Sequence, residues 1–514
     1  MGSMTLRERV LDRFIDYCQI NSGSKEGVDI VPSTPEQMAF AEILQEEACQ
    51  MGYDAEIIDN VGLRIRVKGN VQGVDPILFG AHLDTSPDAP TENVTVLRHP
   101  NYDGKDIKLN GDVVVSATQF TALTQFVGEE ILTSDGTTLL GGDDKAGVAA
   151  LMTFLEHIVE EDFKHGDIDV FFTFDEEIGL EGAAKLDPDK DTNAKYGFTF
   201  DGAYGELGTD IFNAYKAYLP LNRTTLDDVV SGTQAKVHIT GNPTFPGHGK
   251  TEGMIDAFRN VPALATVLEK YDAKVVSVLG SLGGLDVEFV VQDSDALGDL
   301  MDELTAIADK RLDPEETPFS LVEEKTVKDV SEVYDLNPLV ELIDGIPYEM
   351  SAEMTEGRQG YVQPLAIKST ETGVRVRTLL RSFETDESAD QRALIEKIAP
   401  TAEVELGYRN MIEVLNQHPL VLDIAENAMH AAGVENVVRE ETRGGNEAGV
   451  YTLSAKEMLN VESNSGRQIP SVNVGAFGGG CHSVKEWQPV RALEVAVQTA
   501  INIAGAFVER AYRS

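Results

Sequence analysis

The segment Phe79-Gly80-Ala81-His82-Leu83-Asp84-Thr85 is the most informative stretch of this chain. It is an apolar run, typical of a buried strand, that ends in an imidazole and a carboxylate. Because side chains alternate between the two faces of a strand, His82 and Asp84 are expected to point the same way. A neutral imidazole is a common metal ligand, and a carboxylate on its far ring nitrogen fixes the tautomer. The segment therefore predicts a strand end that can carry a metal ligand.

Similar polar groups follow apolar runs at four other places. They are Asp143-Asp144 before an apolar helix, Glu176-Glu177 after Phe171–Asp175, Asp201 after Phe198–Phe200, and His482 after Ala476–Cys481. In an open α/β sheet, ligands bind beyond the carboxyl ends of the strands. Taken singly, such groups are common as helix caps, solvated acids or structural histidines. Together, three acidic groups and two histidines at strand ends match the donors that a two-metal site needs.

In this order, these residues resemble the co-catalytic zinc exopeptidases, and among them the peptidase T family of tripeptide aminopeptidases. The resemblance covers most of residues 1–215 and 405–514. The matching motifs are Ala81–Asp88, Leu139–Ala149, His165–Ile168, Phe174–Glu177, Asp201-Gly202 with Gly205–Leu207, Thr442–Asn446, and His482.

The resemblance implies two Zn²⁺ ions, with Co²⁺ or Mn²⁺ as alternatives. The implied ligands are His82 and Asp201 for one ion, Glu177 and His482 for the other, and Asp143 bridging both. Asp84 would orient His82, and Glu176 would be the general base on the water between the metals. Spacing alone does not decide which of Glu176 and Glu177 is the base.

Composition limits the partners and the compartment. With 514 residues the chain is expected to form about two or three domains. A formal net charge of −45 makes nucleic acid or an anionic membrane surface a poor partner. No stretch approaches the ~20 apolar residues of a membrane span. Three cysteines far apart argue against a disulfide framework and for a cytoplasmic protein.

The alternation of strands and helices predicts a three-layer α/β catalytic domain built from residues 1–211 and 417–514. Between them, residues 212–416 predict an inserted α+β lid, which in the family is ferredoxin-like and allows a homodimer. Extra sequence near 272–336 enlarges this lid. Its strand–helix–strand order matches that of 374–407, which indicates either a second copy of one unit or the ordinary rhythm of such domains.

The lid also departs from the family. Where the family has a histidine before Pro-Gly, this chain has Phe245, which cannot donate a hydrogen bond. His248 is the candidate to replace it in binding the substrate. Arg381, which matches a lid arginine of the family, and Arg443, in a glycine-rich turn, are candidates for holding a substrate carboxylate. The competing interpretation makes each arginine part of a salt bridge.

Three functions follow, in order of preference. The first is a metallo-aminopeptidase that releases the N-terminal residue of short peptides such as tripeptides. The second is a related dizinc amidohydrolase or deacylase that acts on N-acyl amino acids or other small amides. The third is a non-catalytic binding protein on the same scaffold, against which the full ligand set argues.

Overall fold

A computed structural model describes residues 4–28, 30–241, 256–307, 318–352, 354–453, 457 and 466–513. The chain forms two compact units, one from Met1–Ile211 with Gly407–Ser514 and the other from Phe212–Leu406. The sequence placed the return to the first unit at residue 417, but it occurs at Gly407. Just after this return, the side-chain amide of Asn410 donates to Asp210 at 2.6 Å, a long-range contact within the first unit.

The α-helices of the described residues begin with two that show clear start signals. The first is capped by Thr5, which exchanges hydrogen bonds with Glu8, and the second has Pro35 at its first position. In chain order they are α1 Leu6–Cys18, α2 Pro35–Gln50, α3 Gly142–Glu160, α4 Val261–Lys270, α5 Ala296–Ile307, α6 Asn337–Gly345, α7 Thr385–Ile398, α8 Ile412–Gln417, α9 Pro419–Ala431, α10 Glu447–Tyr451 and α11 Val490–Arg513.

The strands divide between the units. Those of the first unit before the insertion are β1 Asp54–Ile58, β2 Gly62–Val67, β3 Ile77–His82, β4 Leu97–His99, β5 Ile107–Lys108, β6 Val114–Val115, β7 Ile131–Thr133, β8 Ile168–Thr173, β9 Tyr196–Ala203 and β10 Glu206–Ile211. The inserted strands are β11 Asn213–Thr240, β12 Lys274–Ser281, β13 Gly284–Val291, β14 Phe319–Tyr334, β15 Tyr361–Ser369, β16 Gly373–Ser382 and β17 Glu403–Tyr408. The last three are β18 Val438–Thr442, β19 Ser471–Phe477 and β20 Trp487–Pro489.

The first unit is built on an eight-stranded sheet in the order β1-β2-β8-β3-β9-β19-β10-β18. Its four inner strands β8, β3, β9 and β19 run parallel to one another. Every residue of β3 and β8 is buried, which requires that both faces of the sheet be covered. The predicted three-layer α/β arrangement is confirmed, and it brings the carboxyl ends of the four inner strands to one edge.

Helix α11 is long and apolar enough to cross a membrane by length and composition, with a mean hydropathy of 1.2. Here it is a core helix, because 61% of its most apolar window is buried. It packs against α1, α3 and α9 and against β19.

The inserted unit has a seven-stranded sheet in the order β13-β11-β14-β12-β15-β16, with β17 paired to β11. The strands of both predicted strand–helix–strand segments, β13-α5-β14 and β16-α7-β17, pair with the long strand β11. Helices α4 to α7 pack around one apolar cluster with this sheet. The inserted, enlarged α+β domain predicted from the sequence is confirmed.

Candidate metal centre

The centre lies at the carboxyl edge of the first unit's sheet. His82 ends β3, Asp201 lies near the end of β9, and Glu177 follows β8. His482 follows β19, and Asp143 lies at the start of α3. Four of these five positions meet because four parallel strands end at one edge, and the start of α3 adds Asp143.

Asp143 lies between the two histidines. Its Oδ1 is 2.9 Å from Nε2 of His82, and its Oδ2 is 3.5 Å from Nε2 of His482. Each histidine also meets one further carboxylate, with Asp201 Oδ1 at 3.5 Å from His82 and Glu177 Oε2 at 2.8 Å from His482. The five side chains thus form two groups of donors that share Asp143, an arrangement that can hold two cations.

The electrostatics of these residues fit bound cations. Burial raises the pKa of Glu177 to about 7, and the Asp143 carboxylate adds to the rise. Burial likewise raises the pKa of Asp201 to about 6, and that of Glu176 well above its usual range. The Oε1 atom of Glu177 is buried without a hydrogen-bond partner. Buried carboxylates with an unused oxygen are costly unless a positive charge compensates them, so the donor set suits divalent metal ions.

Asp144 also lies within ligand distance of His82 and Asp201. Its Oδ2, however, accepts the backbone N–H of His82 at 3.2 Å, and its Oδ1 accepts that of Gly147 at 3.0 Å. Asp144 therefore fixes backbone, whereas Asp143 points both oxygens at histidines.

Asp84 fixes the backbone of Glu176 and Glu177 as well as the ring of His82. Its Oδ1 accepts the backbone N–H of Glu176 at 2.9 Å, and its Oδ2 accepts that of Glu177 at 3.1 Å. Its backbone carbonyl meets Nδ1 of His82 at 2.9 Å, with the carboxylate 3.4 Å away. One buried residue after β3 thus positions both a histidine and the loop after β8.

Glu486 plays the same part for the loop that carries Asp143. It is 2% exposed and accepts backbone N–H groups from Leu140 at 2.9 Å, Gly141 at 2.7 Å and Asp143 at 3.0 Å. Gly141 has a φ of +81°, a conformation that glycine adopts at little cost. Glu486 lies on the loop that carries His482. Its hydrogen bonds therefore connect this loop to the segment that carries Asp143.

Asn473 is a third buried residue that holds the backbone of a metal-ligand candidate. Its side chain accepts the N–H of Asp201 at 3.1 Å and donates to the carbonyl of Asp201 at 2.8 Å. Glu447 is a further buried acid near the centre, and it accepts hydrogen bonds from Thr173 and Tyr451. The sequence analysis missed these residues, since they act on backbone groups or neighbours that only the folded chain brings together.

The candidate substrate-binding residues lie in three different settings. Arg443 is half-buried in the turn between β18 and α10 of the first unit. Arg381 belongs to the inserted unit, is 8% exposed, and donates through Nη1 to the carbonyls of Tyr215 and Leu380. Phe245 and His248 lie outside the described residues.

Known proteins resemble this chain over nearly its whole length. A model of peptidase family M20/M25/M40 matches residues 136–505. Peptidase T of Escherichia fergusonii is 28% identical over 513 residues, covering 97% of this chain and 98% of that protein. Peptidase T of Escherichia coli O1:K1 is also 28% identical, covering 98% of this chain and 100% of that protein.

Solved structures share the fold at lower identity. The aminopeptidase PepT of Bacillus cereus is 17% identical with a TM-score of 0.53, covering 98% of this chain and 99% of that one. A tripeptidase of Staphylococcus aureus is 16% identical with a TM-score of 0.51, covering 99% and 100%. Aminoacylhistidine dipeptidase of Vibrio alginolyticus is 17% identical with a TM-score of 0.51, covering 97% and 96%.

Proposed function

Since the chain belongs to peptidase family M20/M25/M40, we propose that it is a dizinc aminopeptidase that releases the N-terminal residue of short peptides, tripeptides above all. The observation that carries the proposal is Asp143, which directs one carboxylate oxygen at each of two histidines. A single carboxylate placed between two imidazoles suits two metal ions better than one. The relatives of similar sequence are named peptidase T, which supports a peptide substrate.

Zinc is proposed because the donors are imidazoles and carboxylates in a compact cluster, with Co²⁺ or Mn²⁺ as alternatives. When bound, two such ions acidify a water molecule and polarise the scissile carbonyl of the substrate. His82 and Asp201 would hold one ion and Glu177 and His482 the other, with Asp143 shared.

Glu176 is the proposed general base. Of the adjacent glutamates, Glu177 directs its Oε2 at His482 and is therefore suited to be a ligand. Glu176 is half-buried beside the cluster, with its backbone fixed by Asp84, and is left to move protons. It would take the proton of the attacking water and pass it to the leaving amine.

Recognition of the peptide's far end is proposed to use an arginine. A guanidinium binds a carboxylate through two parallel hydrogen bonds, so an arginine suits the free C-terminus of a short peptide. Arg381 and Arg443 are the candidates. Arg381 already uses Nη1 on two backbone carbonyls, which fixes the orientation of its guanidinium.

The cytoplasm is the proposed compartment. Cys18, Cys49 and Cys481 are all free thiols, as expected where thiols remain reduced.

A substrate panel tests the proposed function. The metal-free protein, the same protein reloaded with zinc, and an untreated sample would each be given a tripeptide, a dipeptide and an N-acylated amino acid. Release of the N-terminal residue from the tripeptide, lost on metal removal and restored by zinc, is expected. Preferential turnover of the N-acylated amino acid would instead favour a dizinc deacylase, and no turnover of any amide would contradict both functions.

A further inference from the structure

The loop after β3 supplies another acidic residue beside the metal centre. The Oδ2 atom of Asp88 lies 3.2 Å from Nδ1 of His482. The hydroxyl of Ser86, which is 2% exposed, donates to this oxygen at 3.1 Å and accepts the backbone N–H of Asp88 at 3.3 Å. The carboxylate is therefore held by its own loop in the place where it meets the imidazole.

The two histidines of the centre are oriented in the same way. Both direct Nε2 at Asp143, and both place Nδ1 against an aspartate of the loop after β3. For His82 the partner is Asp84, whose backbone carbonyl lies 2.9 Å from Nδ1 and whose carboxylate lies at 3.4 Å. For His482 it is the carboxylate of Asp88. One loop thus contacts the outer ring nitrogen of both histidines.

His482 has more need of such a partner than His82. The His482 side chain is 41% exposed, whereas that of His82 is 1% exposed and confined by its surroundings. His482 also has a φ of +60°, in a loop that follows Gly478-Gly479-Gly480. An exposed imidazole on such a loop can rotate unless a hydrogen bond holds it, and rotation would remove Nε2 from the cluster.

We infer that Asp88 is the positioning residue of His482. Its carboxylate accepts the Nδ1–H proton of the imidazole, which leaves the lone pair of Nε2 directed at Glu177 and Asp143, where a metal ion would be held. Carboxylate partners of this kind fix the tautomer of a ligating histidine and raise its basicity. The inference rests on the proposed dizinc function and assigns to Asp88 a role that the sequence did not indicate.

The test compares zinc binding by Asp88→Ala, Asp88→Asn and Glu92→Gln. Glu92 lies exposed farther along the same loop, so its substitution removes one charge without touching His482. Zinc affinity of both sites is measured on the metal-free full-length proteins by competition with a chromophoric chelator. Cobalt absorption spectra report the geometry of each site, and thermal unfolding of the metal-free proteins reports the fold.

Asp88→Ala is expected to lower the zinc affinity of one of the two sites by ~10–100-fold and to change the cobalt spectrum of that site alone. Asp88→Asn should lose less, because an amide oxygen still accepts the Nδ1–H bond. Glu92→Gln should bind both ions as the wild type does, and all variants should unfold at nearly the same temperature.

The inference is overturned if Asp88→Ala keeps wild-type affinity for both ions. It is also overturned if Asp88→Ala lowers the zinc affinity of both sites equally, or if Glu92→Gln lowers zinc affinity as much as Asp88→Ala does. Either result would indicate a general charge effect. The measurement uses no substrate. A protein that binds two zinc ions but hydrolyses no peptide would therefore fail the proposed function while still testing Asp88.

Discussion

The carboxylate of Asp84 accepts a hydrogen bond from the backbone N–H of Glu176 at 2.9 Å. Its other oxygen accepts the N–H of Glu177, so one side chain just after β3 sets the position of both glutamates that follow β8. A general base must lie within hydrogen-bond reach of the proton that it removes. Fixing the backbone of Glu176 from a neighbouring strand keeps it in place while Glu177 faces His482.

Replacing Glu176 should separate catalysis from metal binding. Glu176→Ala removes the proposed base but no ligand, so kcat for a tripeptide should fall by ~10²–10⁴-fold with two metal ions still bound. Asp143→Ala, the matched comparison, should lose metal together with activity. Both are measured by steady-state kinetics and elemental analysis. A Glu176→Ala enzyme that retains more than a few per cent of kcat would show that another group is the base.

Replacing Glu486 should loosen the loop that carries Asp143. Glu486→Gln removes one of the two oxygens that accept three backbone N–H groups, and an unsatisfied buried donor costs about 1–3 kcal/mol. The free energy of unfolding, measured with urea on the metal-free protein, should fall by about that amount. Zinc affinity should fall as well. Glu42→Gln, at an exposed position on α2, is the control that should change neither. Equal stability of the Glu486→Gln and Glu42→Gln proteins would argue against this role.

Replacing Arg381 tests recognition of the substrate carboxylate. Arg381→Ala should raise KM for tripeptides with a free C-terminus much more than for the same tripeptides amidated at that end. Arg377→Ala is the control, since Arg377 lies on the same face of β16 four residues earlier. If Arg381→Ala raises KM equally for the free and the amidated tripeptides, Arg381 supports the fold of the inserted unit and does not bind the substrate carboxylate.

Glu206 should make stability depend on pH. Burial raises the pKa of Glu206 to about 8, and the neighbouring carboxylate of Glu440 adds to the rise. The folded chain therefore holds this proton at pH values where the unfolded chain, with an ordinary glutamate pKa, has released it. Stability should fall as pH rises from about 5 toward 8, because the folded state binds more protons. Glu206→Gln should remove this part of the decline, so its advantage in melting temperature over the wild type should be larger at pH 8 than at pH 5. An advantage that does not grow with pH would contradict the assignment.

The sequence predicted the parts of this structure that depend on local patterns. Apolar runs ending in His82, Glu177, Asp201 and His482 indicated buried strands, and parallel strands place their ends together. The α/β class, the inserted domain and the relationship to a metallopeptidase family were available from these patterns.

The residues that hold the centre in place were not predictable in this way. Glu486 and Asn473 act on the backbone of Asp143 and Asp201, and a backbone N–H carries no signature in the sequence. The resemblance selected Asp143 over its neighbour Asp144, although spacing alone does not distinguish them. The folded positions show the physical difference, because Asp143 faces the histidines and Asp144 holds backbone N–H groups. The return to the first unit was placed ten residues too late, since the contact between Asn410 and Asp210 joins distant parts of the chain.

Anomalous X-ray diffraction from crystals of the zinc-loaded protein, recorded on both sides of the zinc absorption edge, shows directly whether Asp143 is shared by two zinc ions. Two zinc peaks about 3.5–4 Å apart are expected, with Asp143 between them. His82 and Asp201 should contact one peak, and Glu177 and His482 the other. A single peak, or two peaks that do not share Asp143, would contradict this arrangement.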